Sequence, residues 1–154
     1  LIQRARDGRL RRIGDGTNRI DMIYVENAAE AHLLACEALG TEPSPAAGRA
    51  YFLSQGEPRD CWQWIDELLT LVDLPPVKRH LSRRSAERVG WLLELAYRQL
   101  RLRGEPPMTR FLAAQLATSH WFDISAARRD LGYQPRVSVS QGMQRLKLSL
   151  ADQA

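Results

Sequence analysis

The sequence predicts an α/β fold richer in helix than in strand, and three observations carry that prediction. Short apolar runs (Leu10 to Ile13, Ile20 to Val25, Ala50 to Leu53) alternate with longer segments of helical period. N-capping residues stand where the period changes, at Asn27, Asp60 and Ser138. Glycine or proline clusters end nearly every segment.

Taken in order, Leu1 to Arg6 reads as the end of a helix closed by Asp7-Gly8, and Leu10 to Ile13 as a short strand. Gly14-Asp15-Gly16 turns the chain into a strand with Ile20, Met22 and Tyr24 on one face and Asp21, Ile23 and Val25 on the other. Asn27, with Glu30 at the reciprocal capping-box position, predicts a helix start there. That helix carries a narrow stripe of small residues, Ala31, Leu34, Ala35 and Ala38, suited to packing on a sheet. Ala50 to Leu53 reads as a buried strand ending in the Ser54 to Pro58 loop. Asp60 and Gln63 cap a helix with Cys61, Trp64, Ile65, Leu68 and Val72 on one face, stopped by Pro75-Pro76. Val77 to Leu81 suits a strand. Ser82 to Arg103 is strongly helical, with Val89, Leu92, Leu93, Ala96 and Leu100 as its apolar side. A helix over Thr109 to Ala117, an irregular Ser119 to Ile124, a short helix stopped by Gly132 and a final helix over Gln141 to Leu150 complete the chain.

Of the 154 residues, 44% are hydrophobic and 26% charged, which suits a folded globular chain rather than a disordered one. Apolar runs such as Trp91-Leu92-Leu93 are far too short for a membrane span. Cys36 and Cys61 fall on separate helices and make neither a disulfide framework nor a CxxC pair, so a reducing, cytoplasmic setting is expected. The net charge of +4 is concentrated between Lys78 and Arg103. A solvated helical face is the plain reading of that excess, and peripheral contact with a membrane surface is the alternative. Nucleic acid is not expected as a partner, because no recognition motif or interleaved stacking aromatics accompany the charge.

The chemistry-bearing motifs are few. Gly14-x-Gly16 follows a strand, as a dinucleotide loop would, but Arg19 takes the third glycine position and the next segment is strand-like; a tight turn is expected. His32, His80 and His120 have no carboxylate or cysteine at ligand spacing, so no metal site is expected. None of Tyr24, Tyr51, Tyr97 and Tyr133 has a lysine four residues on, so no catalytic residue is assigned.

In order along the chain, GDGTNRIDMIYVENAAEAHLLACEAL, GRAYFLSQGEPRDCWQWIDELL, PPMTR and HWFDISAARRDLGYQPRVSVSQGMQRL resemble the C-terminal half of an extended short-chain dehydrogenase/reductase. The resemblance is to the 3β-hydroxysteroid dehydrogenase-like branch of the NAD-dependent epimerase/dehydratase superfamily. Its most specific elements are Asp21 to His32 and the Leu131-Gly132-Tyr133-x-Pro135 ending. It implies the C-terminal part of a Rossmann-type sheet over 1–58 and a small α/β substrate domain, rich in helices, over 59–154. It further implies NAD or NADP, bound mainly by an N-terminal half that also carries the catalytic Tyr and Lys.

Epimerases of this pattern place an arginine before the aspartate of the Asp21 strand, where it binds a phosphate; Ile20 stands there in this sequence. That departure favours an apolar small-molecule substrate, sterol-like or long-chain, over a nucleotide sugar. Asn18, Tyr24, Thr109 and Arg110 are the substrate-lining candidates, and the Ser82 to Arg103 helix is a candidate lid. A nucleotide-sugar epimerase/dehydratase portion, a non-catalytic binding domain and a membrane-surface module are the competing readings. The chain opens on Leu1, which favours a fragment, and a chain beginning there leaves the Asn27 helix and the strand at Ala50 to Leu53 without their sheet; dimerisation or aggregation is then expected.

Overall fold

A computed structural model describes residues 1–151. The elements run α1 (Ile2–Arg6), β1 (Arg12–Ile13), β2 (Arg19–Ile20), α2 (Val25–Leu39), β3 (Arg59–Asp60), α3 (Cys61–Thr70), β4 (His80–Leu81), α4 (Arg83–Gln99), α5 (Arg110–Ala117), α6 (Ser125–Leu131) and α7 (Val139–Ala151). β1 pairs in parallel with β4, Arg12 opposite His80 and Ile13 opposite Leu81, and β2 pairs with β3. The α/β class expected from the sequence is the one found.

Two compact units share the chain: 1–19 with 60–120, and 20–59 with 121–154. The chain passes from one to the other three times, whereas the sequence reading divides it once, between 58 and 59. The last three residues of the predicted 59–154 segment lie outside the described residues.

In the first unit, Arg12 ties three segments together. Its guanidinium pairs with Asp66 of α3 and donates from Nε to the Val77 carbonyl (3.0 Å), while Asp66 also accepts the Val77 amide (2.9 Å). α3 begins as predicted, with the Asp60 carboxylate accepting the Gln63 amide (2.8 Å). Its buried arc is Cys61, Trp62, Ile65, Leu68 and Leu69, so the large residue inside is Trp62 rather than Trp64. The face of α4 also differs from the prediction. Ala86 and Gly90 are its buried residues, and Val89, Leu92 and Leu100 are exposed. The physical reason is close packing on α5: a Cβ at Gly90 would stand 2.6 Å from the Thr109 carbonyl carbon and 2.7 Å from the Arg110 nitrogen. Small residues, not the largest apolar ones, set which side of α4 turns inward.

The second unit is built on α2 and α6. Ala31, Ala46, Ile124, Ala127, Leu131 and Tyr133 form its buried cluster, with Leu34, Ala35 and Ala38 packed against it. The small-residue stripe is therefore used as predicted, but against α6. α6 stops at Gly132, whose φ of 67° lies in the left-handed region where glycine has no Cβ penalty. A complete capping box starts α7: Gln141 donates its amide to Ser138 Oγ (3.2 Å) and Ser138 its amide to Gln141 Oε1 (2.9 Å).

Two expectations fail here. Residues 21–24 and 50–53 are not strands, because among the described residues neither has a neighbour to supply a ladder; the Gln55 amide meets the Met22 carbonyl at 2.6 Å instead. Asn27 is not the N-cap of α2 either. That position is Tyr24, with no side-chain cap bond, and Glu30 pairs with Arg136 (2.5 Å) rather than closing a capping box. Asn27 lies inside the first turn, 1% exposed, because its amide is used elsewhere. Its Nδ2 donates to Gln55 Oε1 (2.9 Å) and the Val137 carbonyl (2.8 Å), and its Oδ1 accepts the amides of Arg136 (3.0 Å) and Val137 (3.1 Å). All four hydrogen-bonding positions of the side chain are filled.

Asn27→Ala leaves these buried groups unpaired, and each such group costs about 1–3 kcal/mol. The expected loss in urea unfolding is about 3 kcal/mol in total; a loss below about 1 kcal/mol contradicts the buried network.

Candidate functional site

The Gly14 to Gly16 turn is the first place to look for a ligand. Both glycines have positive φ, 84° and 81°, and Asp15 closes the turn by accepting Thr17 N (3.0 Å) and Thr17 Oγ1 (2.9 Å). The chain then enters β2 rather than a helix, so the turn does not open directly into a helix, and Trp62 in the first turn of α3 lies 4.0 Å from where a Gly16 Cβ would stand. A Cβ at Gly14 would stand 3.3 Å from the Ala117 Cβ of α5. The glycine at position 14 serves this packing.

Asn18 follows it and is buried, 4% exposed. Its carbonyl accepts the Cys61 amide (2.9 Å) and its Nδ2 donates to the Thr118 carbonyl (3.3 Å). Its Oδ1 has no partner, and neither has the Nε1 of the fully buried Trp62. Among the described residues these are the buried side-chain polar atoms left unpaired. A buried acceptor and donor without partners cost free energy that a bound hydroxyl or carbonyl would recover. Burial pushes the neighbouring Cys61 thiol up, against the opposing hydrogen bond of the Asn18 side chain. His120 Nε2 lies 2.9 Å from Thr118 Oγ1, and exposed His32 has its Nδ1 2.7 Å from the Ala28 carbonyl. No group of three or more metal-ligating side chains occurs among the described residues.

Thr109 and Arg110, the other first-unit candidates, have structural partners. Thr109 Oγ1 accepts the Leu112 amide (3.0 Å) and caps α5. The exposed Arg110 gives its amide (2.7 Å) and its Nε (2.8 Å) to Glu94. The Arg110 amide, then its guanidinium, hold the Glu94 carboxyl below its ordinary value.

Tyr24 lies in the second unit. Its amide donates to Gln55 Oε1 (3.4 Å), its ring meets Gly142, where a Cβ would stand 2.9 Å from Cδ2, and Arg145 lies over it 5.6 Å from the centroid. Beside it, Asp21 gathers Ser54 Oγ (2.8 Å) and the amides of Gly56 (3.0 Å) and Glu57 (3.3 Å). Tyr133 donates its hydroxyl to the Ser54 carbonyl (3.0 Å). Sequence reasoning missed Asp21 and Gln55 as loop anchors; the signal for Asp21 was one acid between Ile20 and the apolar run Met22 to Val25, and Gln55 had none.

Helices around short strand pairs, with loops anchored on buried polar side chains, make this a mixed α/β protein. The crystal structure of UDP-glucuronic acid 4-epimerase from Bacillus cereus, in complex with NAD, has this fold. It aligns over 97% of the chain and 38% of the epimerase, with a TM-score of 0.58 and 21% identity. The chain belongs to the 3-beta hydroxysteroid dehydrogenase/isomerase family, whose sequence pattern matches residues 1–83. It is 51% identical to the 2-alkyl-3-oxoalkanoate reductase of Stenotrophomonas maltophilia (strain K279a), over 98% of the chain and 46% of that protein. It is 36% identical to the 3beta-hydroxysteroid-dehydrogenase/decarboxylase isoform 1 of Arabidopsis thaliana, over 94% of the chain and 34% of that protein. The chain thus spans less than half the length of these relatives and corresponds to their C-terminal part.

Burial first, then the negative charges of Asp21 and Glu30, raises the Tyr133 hydroxyl above the ordinary tyrosine value. The folded state therefore holds that proton more tightly than the unfolded chain. The associated stability is whole below the ordinary value and is lost as the pH rises through the folded one. Urea unfolding of the wild type and Tyr133→Phe across the alkaline range should show the wild type's advantage shrinking as the pH rises; a constant gap contradicts this.

Proposed function

We propose that this chain is the substrate-side portion of an NAD(P)-dependent oxidoreductase that interconverts a hydroxyl and a keto group on an apolar, long-chain or sterol-like compound. The observation that carries the reading is the 51% identity, over nearly the whole chain, to a 2-alkyl-3-oxoalkanoate reductase. Ile20 supports an apolar substrate, since a half-buried aliphatic side chain offers no charge to a phosphate. No step of hydride transfer is assigned to the residues described. Their part is to shape the space in which the oxidisable carbon lies, on loops held by a rigid scaffold. Asn18 is the residue here with a free buried acceptor, and it is assigned to a substrate hydroxyl.

No helix among the described residues is long and apolar enough to cross a membrane, and the proposed setting is cytoplasmic. The choice between NAD and NADP is left to the assay. Purified full-length protein is expected to oxidise reduced nicotinamide cofactor with a 2-alkyl-3-oxoalkanoate and not to turn over a UDP-sugar; the reverse preference overturns the apolar reading. Asn18→Ala is expected to raise KM about five- to tenfold, the worth of one neutral hydrogen bond, with kcat little changed and a loss of about 1–3 kcal/mol of stability from the Thr118 carbonyl left unpaired. An unchanged KM removes Asn18 from the site.

A further inference from the structure

The outward face of α4 carries a pattern that the proposed reaction does not use. Arg84, Arg88, Trp91, Leu92, Leu95 and Arg98 fall at i, i+4, i+7, i+8, i+11 and i+14, one stripe of the helix opposite the buried Ala86 and Gly90. Trp91 is 49% and Leu92 57% exposed. Two clefts flank Trp91, one bordered by Arg84 and Arg88, the other by Leu95 and Arg98, with Arg110 on both. The pattern continues past the helix, where Leu100, Arg101, Leu102 and Arg103 are all exposed.

Charge decides what fits this surface. Its two acids are already neutralised, Glu87 by Arg83 (2.7 Å) and Glu94 by Arg110 (2.8 Å). Arg84, Arg88 and Arg98 have no carboxylate partner among the described residues. An apolar protein surface would have to desolvate those unpaired guanidiniums at a cost. A nucleic acid would pair them but leave Leu92, Leu100 and Leu102 with nothing to contact. A bilayer interface meets both demands at different depths. Tryptophan and leucine enter the headgroup boundary, while the arginines lie on their own aliphatic stems and reach anionic headgroups.

We propose that the outward face of α4, from Arg84 to Arg98 and on to Arg103, docks on the surface of a bilayer carrying anionic lipid. The inference is independent of the reaction proposed above, because it needs only this face. Flotation of purified full-length protein with phosphatidylcholine vesicles, with and without phosphatidylglycerol, tests it. Binding is expected only to the anionic vesicles and should weaken as salt is raised. Arg84→Gln with Arg88→Gln should lower the partition coefficient about fivefold per arginine. Trp91→Ala should lower it too, with the far-UV circular dichroism unchanged in both variants. Lys147→Gln with Arg4→Gln removes the same net charge from exposed positions on α7 and α1 and should leave binding intact. Equal binding to zwitterionic vesicles, equal loss in that control pair, or binding to an acidic polypeptide or DNA without vesicle binding overturns the proposal.

Discussion

The second unit depends on the side chain of Asn27. Three chain segments far apart in sequence, α2, the Ser54-Gln55 corner and the stretch before α7, meet at one buried carboxamide with all its hydrogen-bonding positions filled. Gln55 extends the node: its Oε1 accepts the Tyr24 amide and its Nε2 donates to the Val137 carbonyl. An apolar residue could fill the volume but could not fix the register of three backbones at once. A fully satisfied polar group in a low-dielectric interior specifies one arrangement, because every alternative leaves a donor or an acceptor unpaired.

The first unit reaches a comparable end by steric means. Gly90 lets α4 approach α5 at backbone distance, and the Glu94 carboxylate then grips the first amide of α5 from the next turn. That approach puts Thr109, the α5 cap, in place. It also turns the larger apolar residues of α4 outward, which creates the exposed Trp91-Leu92 surface. One packing decision thus sets both the interior and the exterior of this helix.

Features fixed by local chemistry were legible in the sequence. The Asp60 cap, the Ser138-Gln141 box and the Gly132 stop each involve residues a few positions apart and stand as read, except that the Gln63 side chain turns to Glu67 (3.2 Å) instead of closing a box on Asp60. Features fixed by remote partners were not. Asn27 looks like an N-cap because Asn is a good one, and nothing within a few residues shows that Val137, 110 positions on, has a claim on its amide. The face of α4 was misread because spacing alone does not separate neighbouring stripes, and the decision rests with a glycine that periodicity ignores. Of the four substrate-lining candidates, Thr109 and Arg110 are engaged in capping and an ion pair, Tyr24 is packed against α7, and Asn18 alone retains an unpaired buried atom.

On the function proposed above, this chain forms the substrate side of a reductase, and the dinucleotide is bound by other residues of the full-length protein. Calorimetric titration of the 154-residue chain with NADH and NADPH is the direct test. The account predicts no saturable heat at ordinary enzyme concentrations and no turnover of a β-keto substrate. Stoichiometric, tight binding of either cofactor with turnover would contradict it.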